Sequence, residues 1–245
     1  ANPPFNLKDW RAGNELTDDL RWTGYEVPPK SNANYAWILN MIAKLSQNGV
    51  AGFILANGAL SGGGEEYKIR KQIIENDLVE AIVILPQNMF YSTTISVSLW
   101  IINRNKLERT VEVNDGIKNY RKRKGEVLFM DLRQKGEPFE KKFIQFTEDT
   151  INEIAKTYHN WQQRDWETTY ANEAEYCYSA SIEEIRKKDY SLVPSKYIEF
   201  VNRDESLDYE TQMQALQSDL KALFAEEAEL KEQVANVFKS LGYEL

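Results

Sequence analysis

The strongest constraint on this chain is a series of short apolar runs, too brief for helices, each bounded by turn residues and separated by helical pattern. Val50 to Ala56 reads Val-Ala-Gly-Phe-Ile-Leu-Ala between Asn48-Gly49 and Asn57-Gly58, the pattern of a buried strand. Val79 to Leu85 repeats it after Asn76-Asp77, and Pro86 closes it because proline cannot donate to a sheet ladder. Val97 to Asn103 is a third run. Upstream of the first, Tyr35, Ile38, Leu39, Ile42 and Leu45 recur at helical spacing, with Asn48-Gly49 as the stop. After it, Gly62-Gly63-Gly64 turns into a second helix marked by Tyr67, Ile69, Ile73 and Ile74. Strand, helix and strand in this order predict a parallel sheet covered by helices, so the fold class is α/β.

Beyond Asn103 the texture changes. Arg104, Lys106, Arg109, Lys118, Arg121, Lys122, Arg123 and Lys124 outnumber Glu108, Glu112 and Asp115, which predicts a basic, exposed excursion. A strand returns at Glu126 to Leu132, and Thr147, followed by Glu148 and Asp149, caps a helix carrying Ile151, Ile154, Ala155 and Tyr158. The sheet domain is expected to end near there, over residues 1–160. An aromatic, irregular connection follows over 161–204, with a short helix at Ile182 to Lys187. Residues 205–245 are the clearest periodic element. Tyr209, Met213, Leu216, Leu220, Leu223, Glu227, Leu230, Val234, Val237 and Leu241 alternate at four and three, a heptad seam with one polar interruption. Such a helix either folds back on its own domain or pairs with another helix, and the unbroken seam favours pairing. Glu226, Glu227, Glu229 and Glu232 make its far half acidic, which argues against contact with nucleic acid there.

Composition narrows the function classes. Hydrophobic residues make up 42% of the chain and aromatics 12%, too rich for a disordered segment. No apolar run approaches the roughly 20 residues needed to cross a bilayer. One cysteine, Cys177, excludes an internal disulfide framework, and the start shows no export signal, so a cytoplasmic setting is expected. With one histidine, His159, beside that cysteine, a zinc site is not expected, and both residues read as structural. A net charge of −8 makes any DNA contact local or shared with a partner. The chain opens Ala-Asn-Pro-Pro without an initiator methionine, so a fragment is expected.

The sharpest local signal is Asn2-Pro3-Pro4-Phe5. Two prolines fix φ and hold the carbonyls of Asn2 and Pro3 rigid. The Asn2 amide oxygen and the Pro3 carbonyl can accept both N–H bonds of an exocyclic amine, while Phe5 offers a face on which a base stacks. Drawing both hydrogens aside leaves the nitrogen lone pair aimed at an electrophile. Taken alone, the same four residues also make an ordinary turn.

Several ordered blocks settle that choice. They are Asn2-Pro3-Pro4-Phe5-Asn6, Asn32-Ala33-Asn34-Tyr35-Ala36-Trp37-Ile38, Leu60-Ser61-Gly62-Gly63-Gly64-Glu65, the run Leu85 to Ile95 (Leu-Pro-Gln-Asn-Met-Phe-Tyr-Ser-Thr-Thr-Ile), Val127-Leu128-Phe129-Met130-Asp131, and the heptad tail. Over nearly its whole length the chain resembles the modification subunits of type I restriction–modification enzymes, which are adenine-N6 DNA methyltransferases. The resemblance implies the C-terminal half of a Rossmann-like class I methyltransferase sheet, with an antiparallel strand in its last pair, followed by a helical tail. On it, Val50 to Ala56 is the fifth strand, Val79 to Leu85 the sixth and Val97 to Asn103 the seventh. Asn2, Pro3, Pro4 and Phe5 then sit at the carboxyl edge of the sheet, where ligands of open α/β folds bind. It further implies S-adenosylmethionine as methyl donor, an extruded adenine as acceptor, and DNA, a specificity subunit and a restriction subunit as partners in a hetero-oligomer. Seam residues Met213, Leu216, Leu220, Leu223, Leu230, Val234 and Val237 would meet the specificity subunit.

The chain departs from a complete enzyme of that family because the glycine-rich cofactor loop precedes the Asn-Pro-Pro-Phe block and is not in this sequence. Gly62-Gly63-Gly64 is no substitute, since Glu65 and Glu66 follow it and would repel an anion, so the cofactor contacts stay unassigned. Asn88, Phe90 and Tyr91, at a strand end, are candidates for the base pocket, with ordinary packing as the other reading of the two rings. The segment 6–30, holding Trp10, Arg11, Arg21 and Trp22, is long for a connection and is expected to order against DNA or a partner. The run Arg121 to Lys124 reads as a solvated face or as a phosphate contact. Two other functions remain open at this point: a non-catalytic assembly fragment, and a methyltransferase acting on cytosine N4, whose amine suits the same geometry.

Overall fold

A computed structural model describes residues 1–113, 116–164, 167–201 and 209–240. The chain divides into two compact units, Ala1–Phe200 and Val201–Leu245. In the first unit, helix α1 (Asn34–Lys44) leads to strand β1 (Val50–Ala56), helix α2 (Gly64–Glu75), β2 (Val79–Ile84) and β3 (Val97–Asn103). Two short hairpins, β4 (Arg109–Val113) with β5 (Gly116–Tyr120) and β7 (Glu137–Phe139) with β8 (Phe143–Gln145), flank strand β6 (Glu126–Asp131). Helix α3 (Glu148–Gln162), strand β9 (Cys177–Ser181) and helix α4 (Ile182–Lys187) complete the unit. Helix α5 (Tyr209–Ser240) is the body of the second.

The main sheet has the order β1-β3-β2-β6-β9. It is mixed rather than parallel: β2 and β6 run parallel, but β3 lies antiparallel between β1 and β2, in register from Val50↔Asn103 to Ala56↔Val97. The cause is the connection 85–96, which holds no helix and therefore cannot carry the chain back for a parallel crossover. The antiparallel strand implied by the family resemblance is thus β3.

Strand alternation sorts the sheet into two faces. Phe53, Leu55, Ile82, Ile84, Trp100, Ile102 and Phe129 form the first, covered by Tyr35, Ile38, Leu39 and Ile42 of α1 and by Ile69, Ile73 and Ile74 of α2. Ala81, Val83, Val97, Leu128 and Met130 form the second, covered by Trp161, with Ile154 and Tyr158 of α3 packed against it. The cap expected from sequence is present, with the Thr147 hydroxyl accepting from the Thr150 N–H at the start of α3, whereas α1 ends at Lys44, ahead of the Asn48-Gly49 stop expected for it. Among the described residues, no helix is long and apolar enough to cross a membrane.

Two regions differ from the sequence reading. The connection after α3 contains an edge strand: β9 pairs antiparallel with β6, Glu126 opposite Ser181, inside the unit that runs to Phe200. Its residues Cys-Tyr-Ser-Ala-Ser carry too little apolar alternation to announce a strand. The basic excursion is only partly exposed. Lys106 and Arg123 are buried, while Lys122 and Lys124 face solvent. Lys106 Nζ donates to Asp77 at 2.6 Å and to the Val79 and Glu126 carbonyls, and Arg123 meets the fully buried Glu80 at 3.5 Å. Glu80 also accepts from Tyr158 at 2.8 Å, from Gln162 at 2.9 Å and from Asn103. These cations tie the β4–β5 hairpin to the amino end of β2 and are not available to phosphate.

Trp22 likewise belongs to the first face. It is 3% exposed, its Nε1 donates to the Leu16 carbonyl at 2.6 Å, and Trp10 packs edge-on at 6.3 Å.

Two stability measurements test this account. Arg123→Met leaves Glu80 in the interior without its cation and should cost about 3–5 kcal/mol in urea unfolding; a loss below about 1 kcal/mol would show that neutral donors suffice. Trp22→Ala should cost about 3–5 kcal/mol through the cavity it leaves. An unchanged unfolding midpoint in that variant would return Trp22 to the surface role expected from sequence.

Candidate functional site at the carboxyl edge of the sheet

The Asn2–Phe5 loop is pinned at both ends. On one side the backbone nitrogen of Ala1 donates to the Gly52 carbonyl at 2.7 Å, and Ile54 N–H donates to the Ala1 carbonyl at 3.1 Å. This is the bonding pattern of a parallel ladder, so Ala1 lies against the outer edge of β1 and points the loop toward the carboxyl end of the sheet. On the other side Asn6 adopts a left-handed backbone, φ 51°, and its N–H donates to Asn34 Oδ1 at 3.0 Å at the start of α1. Between these anchors, residues 2–5 make no hydrogen bond among the described residues, and Asn2 is exposed. Phe5 is half-buried, packed against the second-face core.

The connection 85–96 reaches the same edge. Asn88 takes a left-handed turn, φ 60°; its carbonyl accepts from Ile144 N–H of β8 at 3.1 Å, and a bridge joins Phe90 to Thr93. Tyr91 stands at the tip, 76% exposed, edge-on to Phe143 with ring centroids 4.8 Å apart. Met89 and Phe90 pack against the same second-face core as Phe5. The β7–β8 hairpin, which the sequence did not announce, is what braces this connection. Behind it, on the first-face side, a cleft of about 270 Å³ has Asn57, Gln87, Ser96, Asp131, Arg133 and Ser195 on its polar wall and Leu60, Ile84, Val193 and Pro194 on its apolar one. There the Arg133 guanidinium forks onto Asp131 at 2.6 to 3.0 Å.

Other sequence candidates lie elsewhere. Arg21 does not present a free guanidinium: it chelates Asp19 at 2.7 and 2.8 Å and donates to Asn40 at 3.0 Å. The hydrogen bonds from Arg21 hold the Asp19 carboxyl far below its usual range, at about 2. Segment 6–30 is held by contacts of its own, Trp10 Nε1 to the Pro29 carbonyl and Arg11 to the Gly13 and Pro28 carbonyls. Around Gly62–Gly64 the Gly62 carbonyl accepts from Arg70 Nη1 at 2.7 Å, and the Glu66 carboxylate fills the space beside Gly62. Burial raises the Glu66 pKa, and this carboxylate occupies the place beside Gly62 that an anion would need. Cys177 is buried in the second-face core, where desolvation raises its thiol pKa, and His159 on α3 is pulled down by partial burial. In the second unit Tyr209, Met213, Leu216, Leu220, Leu223, Leu230, Val234 and Val237 are all at least 47% exposed along α5; Leu241, the last seam position, lies outside the described residues.

Comparison with known proteins gives this edge a context. A sequence model of the family described as N-6 DNA Methylase matches residues 1–206. The type I restriction enzyme HindI methylase subunit of Haemophilus influenzae is 42% identical over 246 aligned positions, covering 100% of this chain and 51% of that protein. The MjaIX methylase subunit of Methanocaldococcus jannaschii is 36% identical, over 99% of this chain and 42% of its own length. The chain thus spans about half the length of the curated relatives it matches, or less. Among solved structures, the type I restriction–modification methyltransferase subunit from Streptococcus thermophilus superposes with a TM-score of 0.67 at 27% identity, over 82% of this chain and 37% of that one. A family match across the whole sheet-bearing unit, including the pinned Asn-Pro-Pro-Phe loop, establishes that this chain belongs to the N-6 DNA methylase family.

Proposed function

We propose that this chain is the target-base half of an adenine-N6 DNA methyltransferase, acting as part of the modification subunit of a type I restriction–modification complex. The observation that carries the reading is the Asn2–Phe5 loop held between β1 and α1, with its amide and carbonyl oxygens unengaged at the carboxyl edge of the sheet. In this reading Asn2 Oδ1 and the Pro3 carbonyl accept the two N–H bonds of the adenine amine. The nitrogen lone pair is thereby directed outward, and the partial positive charge that grows on the amine during transfer is met by two oxygens. Phe5, fixed by its packing, supports the base, and Phe90 and Tyr91 close the opposite side with Asn88 setting the turn. Adenine N6 lies inside a paired stack, so the base must leave the duplex to reach these groups. The net charge of −8 fits a protein that holds DNA locally and depends on partners for the rest of the grip.

S-adenosylmethionine supplies the methyl group in this reading. The Gly62 turn is not read as its cradle, because Glu66 fills the space beside Gly62 and Arg70 holds its carbonyl, and the cofactor contacts stay unassigned. Cytosine N4 presents the same two donors and is the alternative acceptor. The exposed seam of α5 supports the companion role, assembly through helix pairing with a specificity subunit and, through the complex, with a restriction subunit.

Two experiments on the full-length subunit decide these roles. Asn2→Ala should lower methyl transfer by about 100-fold or more, measured as tritiated methyl incorporation into cognate DNA, while assembly is retained. Transfer at the normal rate would overturn the amine-holding role. Truncation after Glu205, which itself lies outside the described residues, should abolish co-purification with the specificity subunit. Full retention of that subunit would remove the seam from the interface.

A further inference from the structure

Three asparagines hold the exit of the Asn2–Phe5 loop, and none has a role in the transfer chemistry described above. Asn6 N–H donates to Asn34 Oδ1 at 3.0 Å, and Asn34 Nδ2 donates back to Asn6 Oδ1 at 2.9 Å. Asn32 Nδ2 reaches the same Asn6 oxygen at 3.3 Å, and Asn32 Oδ1 accepts from Asn34 N–H at 2.9 Å. Alongside, Ala33 N–H donates to the Leu7 carbonyl at 2.9 Å. Asn34 is 1% exposed, so its amide is enclosed with both ends engaged.

We infer that Asn34 is a positioning residue for methyl transfer, holding Asn6 in its left-handed conformation so that Asn2, Pro3 and Phe5 keep their places at the sheet edge. The two prolines remove φ freedom from the middle of the loop, which leaves its ends to decide where the acceptor oxygens lie. One end is set by the β1 ladder. The other turns on Asn6, whose φ of 51° is a conformation that asparagine tolerates but that does not hold itself. The reciprocal pair supplies the restraint, because it engages a backbone N–H and a side-chain oxygen of the same residue at once. Helix α1 is suited to carry it: Tyr35, Ile38, Leu39 and Ile42 anchor it in the first-face core. Its start carries no side-chain cap at the N-cap, Ala33, and the Asn34 N–H there is met by Asn32 Oδ1, which leaves the Asn34 side chain free to face Asn6.

This inference rests on the proposed reading of Asn2–Phe5, and its test keeps the two apart. In the full-length subunit assembled on cognate DNA, three variants would be compared with Asn2→Ala. Asn34→Asp keeps the acceptor for Asn6 N–H but replaces the donor with an oxygen facing Asn6 Oδ1. Asn6→Gly keeps the left-handed backbone and removes the acceptor. Asn6→Asp keeps an acceptor for both Asn32 and Asn34. Each would be measured for kcat, KM for DNA, thermal midpoint, and fluorescence of 2-aminopurine at the target position. Asn34→Asp and Asn6→Gly should lose about 10- to 100-fold in kcat with KM changed by less than about threefold, and give an altered 2-aminopurine signal. Asn6→Asp should restore kcat to within about threefold of the parent. Normal kcat in both Asn34→Asp and Asn6→Gly, while Asn2→Ala is dead, overturns the positioning role and leaves the reading of the site standing. A loss of kcat in Asn6→Asp equal to that in Asn6→Gly also overturns it, because the acceptor would then be irrelevant. Normal transfer in Asn2→Ala as well overturns the site reading itself.

Discussion

The connection 85–96 contains no helix, so the chain cannot recross the sheet after β2 and must return beside it, antiparallel. That restriction places the start of β3 at the carboxyl end of β2 and forces the intervening residues to turn at the very edge where Ala1 delivers the Asn2–Phe5 loop. The two segments proposed to hold a base thus meet one edge for a topological reason, and their apolar side chains, Phe5, Met89 and Phe90, share one core. The pairing of β1 with the full length of β3 makes the platform stiff. A loop strung from that platform to α1 inherits its rigidity, which is what a site that must orient a nitrogen lone pair needs.

Charge is distributed with a similar division. The cations that sequence places in one basic stretch separate in space: Lys106 and Arg123 neutralise Asp77 and Glu80 inside the fold, Arg121 forks onto Glu126, and Arg104, Lys122 and Lys124 face water. Arg123 is also stacked between aromatic partners, 5.4 Å from the Tyr120 ring centroid and 5.8 Å from that of Trp161. Burying such a pair is seldom a net gain in stability, but removing one member is expensive, so the network makes the β4–β5 hairpin hard to detach. The basic surface of this stretch is thus smaller than its sequence suggests, because Lys106 and Arg123 are held inside the fold.

The parts of this fold that could be read from sequence are those governed by local periodicity. The strands at Val50, Val79, Val97 and Glu126 and the helices at Tyr35, Tyr67, Ile151 and Ile182 all repeat apolar residues at two- or near four-residue spacing, and the structure places elements there. What could not be read depends on partners distant in sequence. Trp22 looks like a loop aromatic until α1 and the core of the first face close over it. Lys106 and Arg123 look solvated until Glu80, itself inside an apolar strand, is seen to need a cation. That buried glutamate was the available signal, since an acidic residue within Val-Glu-Ala-Ile-Val-Ile must be matched. Strand β9 is held by its ladder to β6, with only Cys177 and Ala180 of its five residues buried, so its own sequence shows no apolar alternation. The Asn6–Asn34 pair spans 28 residues, and no window of local pattern reaches that far.

The tail obeys a different logic. Along α5 every described apolar seam position is at least 47% exposed, and Phe224 and Phe238 widen the stripe. In proteins most of a helix's stability comes from packing of an apolar face and not from propensity. Each Leu or Val on such a stripe stands to gain about 1.5–3 kcal/mol on full burial, so the free energy available from covering it is large compared with that of any surface ion pair. In the far half of this register only Glu226 of the acidic cluster flanks the seam, with Lys231 on the opposite flank, Glu227 inside the seam, and Glu229 and Glu232 on the outer side, so a parallel copy of this helix would set Glu227 against itself. That contact opposes self-pairing in parallel register at this one layer.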